Sequence, residues 1–208
     1  MTTKINIKAL LIFTLLLAIL FSQPLSGFAA EDQTMSTRVE SLMAGSRWCF
    51  AKDNIVGNID LNQSLLSEIK EIKEGQYNLN SVSGQQLQQI ATDIIQPYID
   101  KKLSITVNDK TYPVKVNRIV KNGGIYTIWL SVDRVSFHSP ANQVRIDYRL
   151  FFGETDNVHI NRAYGYLSDA TGAELQKVFD FSQPAFRGTF DFNNRVWQVS
   201  IKGHGGNL

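Results

Sequence analysis

The chain has 208 residues, with 21 basic and 19 acidic side chains, so its formal net charge is +2. Residues 1–29 hold two of the lysines and no acidic residue, which leaves 19 charges of each sign on the other 179 residues (208 minus 29). These basic residues are spread singly along the sequence. This distribution argues against nucleic-acid binding, which requires a basic patch or stripe. A chain of this length can form one domain with a single hydrophobic core.

Residues 1–29 have the layout of a secretory signal peptide. Two lysines precede an apolar core at residues 9–21, which is shorter than the roughly 20 residues of a membrane-spanning helix. Small side chains at Gly27 and Ala29 fit cleavage after Ala29. We therefore expect a periplasmic or secreted protein with no transmembrane helix after cleavage; a retained, uncleaved anchor is the alternative.

Cys49 is the only cysteine, so it cannot form a disulfide within the chain. Its neighbours Trp48 and Phe50 predict a buried thiol that acts as a small apolar side chain. No histidine or lysine adjoins it to lower its pKa. An intermolecular disulfide or a reactive thiol are the alternatives.

The chain then alternates between loop, strand and helix signals. Residues 30–45 form a polar lead-in, and residues 46–61 are strand-like. A first helix is predicted after the N-cap Asn62, ending at Gly75; its apolar face comprises Leu65, Leu66, Ile69 and Ile72.

A second helix is predicted to begin at Ser83, where Gln86 completes a capping box. Pro97 should end or kink this helix near its last turn. The two helices would form an insertion over residues 63–100 that covers one edge or end of a sheet.

From residue 103 onward, apolar and polar residues alternate in a series of short segments. Strands are predicted at 103–107, 112–116, 126–132, 144–152, 159–167, 174–181, 185–192 and 195–202, with Asn193 and Asn194 as a hairpin turn. Alternation means one wet face, which favours antiparallel pairing. The pattern predicts a mainly β fold, an antiparallel immunoglobulin-like β-sandwich over residues 46–202 with a flexible tail at 203–208.

Two segments carry a family resemblance: PYIDKKLSITVNDKTYPV and VRIDYRLFFGETDNVHINRAYG. They are similar to the extracytoplasmic N-terminal domain of hydrogenase/urease accessory membrane proteins of the HupE/UreJ type, where a strand leads into an acidic residue, a short spacer and a histidine. In that family a membrane domain associated with nickel transport follows. This sequence ends at IKGHGGNL, so a permease function cannot be carried over, and the resemblance implies at most a free-standing envelope domain of the same build.

The segment FFGETDNVHINR places Glu154, Asp156 and His159 within six positions. Carboxylate and imidazole groups are ligands for divalent transition metals, and His138 is the other internal histidine that could join them. The same residue types also form ordinary turns, because Asp and Asn side chains bond their own backbone. The turn is the favoured interpretation, and a metal site is the alternative.

No catalytic motif is recognisable, so neither a catalytic residue nor a cofactor is predicted and we expect the protein not to be an enzyme. The leading hypothesis is a binding or accessory module of the bacterial cell envelope with a membrane or periplasmic protein partner. Its expected contacts are the turn at 153–159 and the loop at 136–142. A periplasmic nickel, copper or zinc accessory protein is the alternative, and an unrecognised hydrolase ranks third.

Overall fold

The computed structural model describes residues 43–70, 72, 77–135, 137, 139–152, 159–168 and 184–202. The proposed signal peptide, most of the lead-in, the predicted strand at 174–181 and the tail at 203–208 lie outside the described residues. The described part is mainly β, as predicted. Within it, no helix has both the length and the apolar character needed to cross a membrane.

Ten strands are present in the described part of the chain. They are β1 (Met43–Phe50), β2 (Asn54–Asn62), β3 (Leu103–Val107), β4 (Lys110–Tyr112), β5 (Lys115–Asn122), β6 (Ile125–Asp133), β7 (Ala141–Tyr148), β8 (Ile160–Leu167), β9 (Phe186–Phe190) and β10 (Val196–Lys202). A six-stranded sheet has the order β5-β6-β2-β1-β8-β9, and a four-stranded sheet has the order β10-β7-β3-β4. The first strand begins three residues before the predicted start of the domain, inside the predicted lead-in.

The prediction of purely antiparallel pairing is wrong for the larger sheet. Strands β1 and β8 pair in parallel, from Met43 opposite Ile160 to Phe50 opposite Leu167. A tight hairpin forces its two strands to be antiparallel, but β1 and β8 are joined by a long connection that permits either direction. Alternating residues report which face of a strand is wet and do not report the direction of its neighbour.

Helical segments lie between β2 and β3, as predicted. They are α1 (Gln63–Leu66), α2 (Gly84–Ile90), a π-helical turn (Ala91–Ile95) and α3 (Gln96–Lys102). The Asn62 side chain accepts a hydrogen bond from the Leu65 backbone N–H at 2.8 Å, which confirms the predicted N-cap. The predicted capping box is confirmed too, since Ser83 and Gln86 bond each other's backbone N–H groups.

The two helices differ from prediction at their C-terminal ends. The first α-helical run ends at Leu66, Lys70 and Ile72 are helical again, and the predicted end at Gly75 lies outside the described residues. The four predicted apolar residues are buried. The second continues past Pro97 to Lys102. Proline cannot bond the preceding turn, and the π-helical turn just before it is the kind of bulge that accommodates such a break. The helix therefore changes to π-helical hydrogen bonding for one turn and then continues.

The helical stretch covers the β5 edge of the larger sheet. Gln96 accepts a hydrogen bond from the Val116 backbone N–H at 2.6 Å and donates to the Val114 carbonyl at 2.9 Å. One side chain therefore satisfies polar backbone groups at the start of the edge strand, which would otherwise be open to pairing with another chain.

The opposite end of the larger sheet is covered by the smaller one. The Trp197 indole of β10 lies against Gly165 and Gly188, where a Cβ atom would come within 2.8 and 2.6 Å of the ring. A turn with reciprocal backbone bonds between Asp191 and Asn194 is present at the predicted hairpin. It connects β9 of one sheet to β10 of the other, so it is a corner between sheets and not a hairpin within one.

Candidate functional site

Of the four residues predicted as metal ligands, only His159 is described; Glu154, Asp156 and His138 lie outside the described residues. The His159 side chain is 0% exposed. Within the described ranges, no three His, Cys, Asp or Glu side chains are grouped so that they could hold a metal ion. The metal site stays a prediction.

His159 lies in an aromatic environment. Its ring centroid is 5.3 Å from that of Phe151, 5.4 Å from that of Phe152 and 6.1 Å from that of Tyr148. Strand β7 ends at Tyr148, and Phe151 takes a left-handed backbone conformation with φ of 67°. The predicted continuation of this strand to residue 152 is therefore wrong, and after the break Phe151 and Phe152 are both buried.

A chain of buried hydrogen bonds connects this histidine to both sheets. The Tyr148 hydroxyl lies 3.3 Å from His159 Nε2, and Asn161 Nδ2 donates to the same hydroxyl oxygen at 3.1 Å. The Ser46 hydroxyl donates to Asn161 Oδ1 at 2.7 Å. All four side chains are fully buried. Such a satisfied network stabilises and specifies the packing of a core.

Burial raises the pKa of Tyr148 well above its ordinary value, and nearby Tyr98 adds to the increase, while the bond from Asn161 lowers it. The hydroxyl therefore keeps its proton at neutral pH. It accepts a hydrogen bond from Asn161 and shares a second one with His159 Nε2. The network is enclosed, so we assign it a structural role.

The outer side of the six-stranded sheet, which faces away from the core, carries an unusual combination of side chains. We call it the arginine–aromatic face. The central row of this face, neighbour to neighbour in register, is Arg187, Tyr164, Arg47, Asn58, Trp129 and Arg118. With strands about 4.8 Å apart, the row is about 24 Å long.

Flanking rows add further charged residues to this face. They contribute Arg162 and Asp60 on one side and Lys115 and Asp133 on the other. Among the described residues, the face carries five basic and two acidic side chains, a formal surplus of three positive charges. The sequence-based interpretation that the basic residues do not cluster is therefore wrong, because strand register gathers arginines that are far apart in the chain.

Contacts within the face hold several of these groups in place. Arg47 forms an ion pair with Asp60, and Lys115 Nζ lies 2.7 Å from Asp133 Oδ2. The Arg118 guanidinium lies over the Trp129 ring, 5.3 Å from its centroid. Among the described residues, no ion pair forms with Arg118, Arg162 or Arg187, and all three are exposed. These three guanidinium groups are available to a ligand.

A small buried apolar cluster lies beside the polar groups on the same side of the sheet. It comprises Cys49, Ala51, Val56 and Tyr166, with Trp129 and Tyr164 packed against it. Asn58, in the middle of the central row, is only 2% exposed. Its Oδ1 atom is buried and has no hydrogen-bond partner in the described part of the protein. A buried polar atom without a partner is uncommon in proteins and is costly.

The outer side of the four-stranded sheet is chemically different. Its central row is Gln198, Arg145, Thr106 and Thr111. Thr106 and Thr111 bond each other, and Gln143 bonds Ser200. These short hydrogen-bonding side chains, with no aromatic residue in the row, are typical of a solvated sheet face. The contrast makes this surface a natural control for the arginine–aromatic face.

Burial raises the pKa of the Cys49 thiol to about 12, which agrees with its predicted role as a buried apolar side chain. We expect Cys49 to react with iodoacetamide at pH 8 on the order of a thousandfold more slowly in the native protein than in denaturant, because only the thiolate reacts. Alkylation followed by mass spectrometry measures both rates. Equal rates would contradict the buried position.

The same shift makes stability depend on pH. The unfolded thiol ionises near pH 9.0 and the folded one near 12, so the stabilising contribution is complete below pH 9 and is lost as the pH rises towards 12. The Cys49→Ala variant is the control, since it should lack this loss.

One residue of the arginine–aromatic face could have been predicted from the alternation of apolar and polar residues alone. Trp129 lies between Ile128 and Leu130 of the apolar parity in β6, so alternation places a tryptophan on the wet side. The neighbours of Trp129 on this face could not be predicted, because Tyr164 and Arg187 join the same row only through the parallel β1–β8 pair. No family model matches this chain, and no curated protein matches it.

Proposed function

We propose that this protein is a non-enzymatic binding or accessory module of the bacterial cell envelope, exported by residues 1–29, and that it binds a protein partner through the arginine–aromatic face. The observation that carries the proposal is the row of arginine, tyrosine and tryptophan across one side of the larger sheet. That the fold is an immunoglobulin-like sandwich stays a prediction beside it.

The composition of the face supports protein recognition. Protein interfaces are enriched in arginine and aromatic residues relative to the rest of the surface, and truncating Trp, Tyr or Arg there costs the most binding energy. Two large apolar side chains on the same side, Val120 and Ile125, are 40% and 45% exposed. Beside the arginine–aromatic row, they add apolar area that a partner would cover.

A photocrosslinking amino acid in place of Val120 tests the proposal. In an envelope extract we expect it to give a discrete covalent adduct on irradiation, because Val120 lies on the face next to Arg118 and Trp129. The matched control carries the same amino acid in place of Ser200, on the outer side of the smaller sheet. Equal adducts at both positions, or none at Val120, would contradict binding through this face.

Metal binding is the alternative kept from the sequence, as a nickel, copper or zinc accessory protein. This alternative is supported by two acidic residues, Glu154 and Asp156, that lie close to His159 in the sequence, and by the family resemblance. The enclosed position of His159 favours the partner-binding proposal over this alternative.

A further inference from the structure

We infer that the partner of the arginine–aromatic face presents an acidic protein surface. This inference rests on the proposed function and adds the chemistry of the partner to it. The chain beyond residue 29 carries equal numbers of positive and negative charges, yet this face holds five basic and two acidic side chains. Complementary charge across an interface directs the choice of partner and the rate of encounter.

The type of cation identifies the acidic groups. Four of the five basic side chains on the face are arginines, and Arg118, Arg162 and Arg187 are exposed. A guanidinium group binds a carboxylate through two parallel hydrogen bonds, a geometry that lysine cannot supply. The Arg118 group is already held over the Trp129 ring, so less side-chain entropy is lost when it binds. Glutamate and aspartate side chains fit these sites.

Two observations favour a protein over an acidic polysaccharide. The Arg118 guanidinium lies over the Trp129 ring, so that side of the indole is not open for a sugar to stack on it. Val120 and Ile125 expose apolar area on the same side of the sheet, and a protein surface can cover apolar and acidic positions together.

The size of the face predicts a weak, reversible complex. Six strands and about three rows of side chains span about 25 by 20 Å, so the face offers at most on the order of 500 Å²; buried positions such as Asn58 and Cys49 reduce the accessible part. A standard stable interface buries about 800 Å² on each partner, and smaller ones are typical of transient complexes. We therefore expect binding that depends strongly on the few arginine contacts.

The test measures binding of the intact exported protein to three polyanions: poly-L-glutamate, polygalacturonate and phosphatidylglycerol vesicles. We expect the tightest binding to poly-L-glutamate. The triple variant Arg118→Gln, Arg162→Gln and Arg187→Gln should bind it at least about tenfold more weakly, and binding should weaken as salt is added, because screening reduces exposed charge interactions. The control removes three charges elsewhere, with Lys101→Gln, Arg145→Gln and Lys202→Gln, and should change affinity by less than about twofold.

One further variant and one further measurement sharpen the result. The triple arginine-to-lysine variant keeps the charge and loses the paired hydrogen bonds, so it should bind with intermediate affinity. Circular dichroism of every variant checks that the exposed substitutions leave the fold intact. Equal or tighter binding to polygalacturonate or to vesicles would overturn the acidic protein surface, as would full binding by the triple glutamine variant.

The inference and the proposed function can fail separately. If the Val120 crosslink forms and survives in the triple glutamine variant, the face binds a partner whose surface is not acidic, and only the inference is overturned. If the crosslink does not form at all, the proposed function fails, whatever poly-L-glutamate does.

Discussion

Replacing Gly57 with alanine is expected to lower the free energy of unfolding by about 3 kcal/mol, because added atoms in a tight core force neighbours out of place. A Cβ atom at this position would lie 2.5 Å from Trp48 Cε3 and 2.6 Å from Cζ3. Trp48 is directly opposite Gly57 in the β1–β2 pair and is 0% exposed, so its ring has no room to withdraw. Urea unfolding of the purified variant measures the change.

Gly45 is the matched control. It lies on the neighbouring strand, on the outer side of the same sheet, and a Cβ atom there would meet nothing within 4 Å. Gly45→Ala should leave stability unchanged or raise it by up to about 1 kcal/mol, because alanine restricts the unfolded chain. The loss caused by Gly57→Ala should also shrink in a Trp48→Phe background, where the ring is smaller. If both glycine variants behave alike, steric conflict with Trp48 is not the cause.

The second large effect is expected from Asn161→Ala, at about 2–4 kcal/mol of lost stability, since each buried polar group left without a partner costs about 1–3 kcal/mol. Asn161 joins Ser46 of β1 to Tyr148 of β7, so both hydroxyl groups lose a partner where no water reaches them. Gln143→Ala, which removes an exposed hydrogen bond to Ser200, is the control and should change stability by less than about 0.5 kcal/mol.

A double-mutant cycle tests whether the network acts as a unit. Tyr148→Phe removes the hydroxyl that Asn161 and His159 share, so its effect and that of Asn161→Ala should not add. Additive losses would mean that the four side chains contribute independently and that the chain of hydrogen bonds has no collective role.

The features that were predicted correctly are local ones. The N-cap at Asn62, the capping box at Ser83 and the alternating strands depend on residues within a few positions of one another. The parallel pairing was not predictable in this way, since Ser46 and Asn161 meet across 115 positions of sequence. The inward turn of Phe151 was missed because a single left-handed residue reverses the parity of a strand without leaving a recognisable motif.

The candidate sites show the same difference between local features and features that depend on the whole fold. His159 was a candidate metal ligand because two acidic residues precede it in the sequence. Its burial among aromatic rings depends on the whole fold and cannot be predicted from the spacing of these residues. The arginines of the outer face were visible one at a time. They became a candidate surface only when β8 and β9 were placed next to β1, and that placement is set by packing of the whole core.

The parallel pair also governs the order in which the sheet can be completed. β1 and β2 can close as a hairpin at once, but the other side of β1 keeps open N–H and C=O groups until residues 160–167 pair with it. Contacts that close so long a loop form slowly, and an open strand edge is a place where other chains can pair. Until β8 pairs with β1, the central strand of the larger sheet is therefore itself an exposed edge.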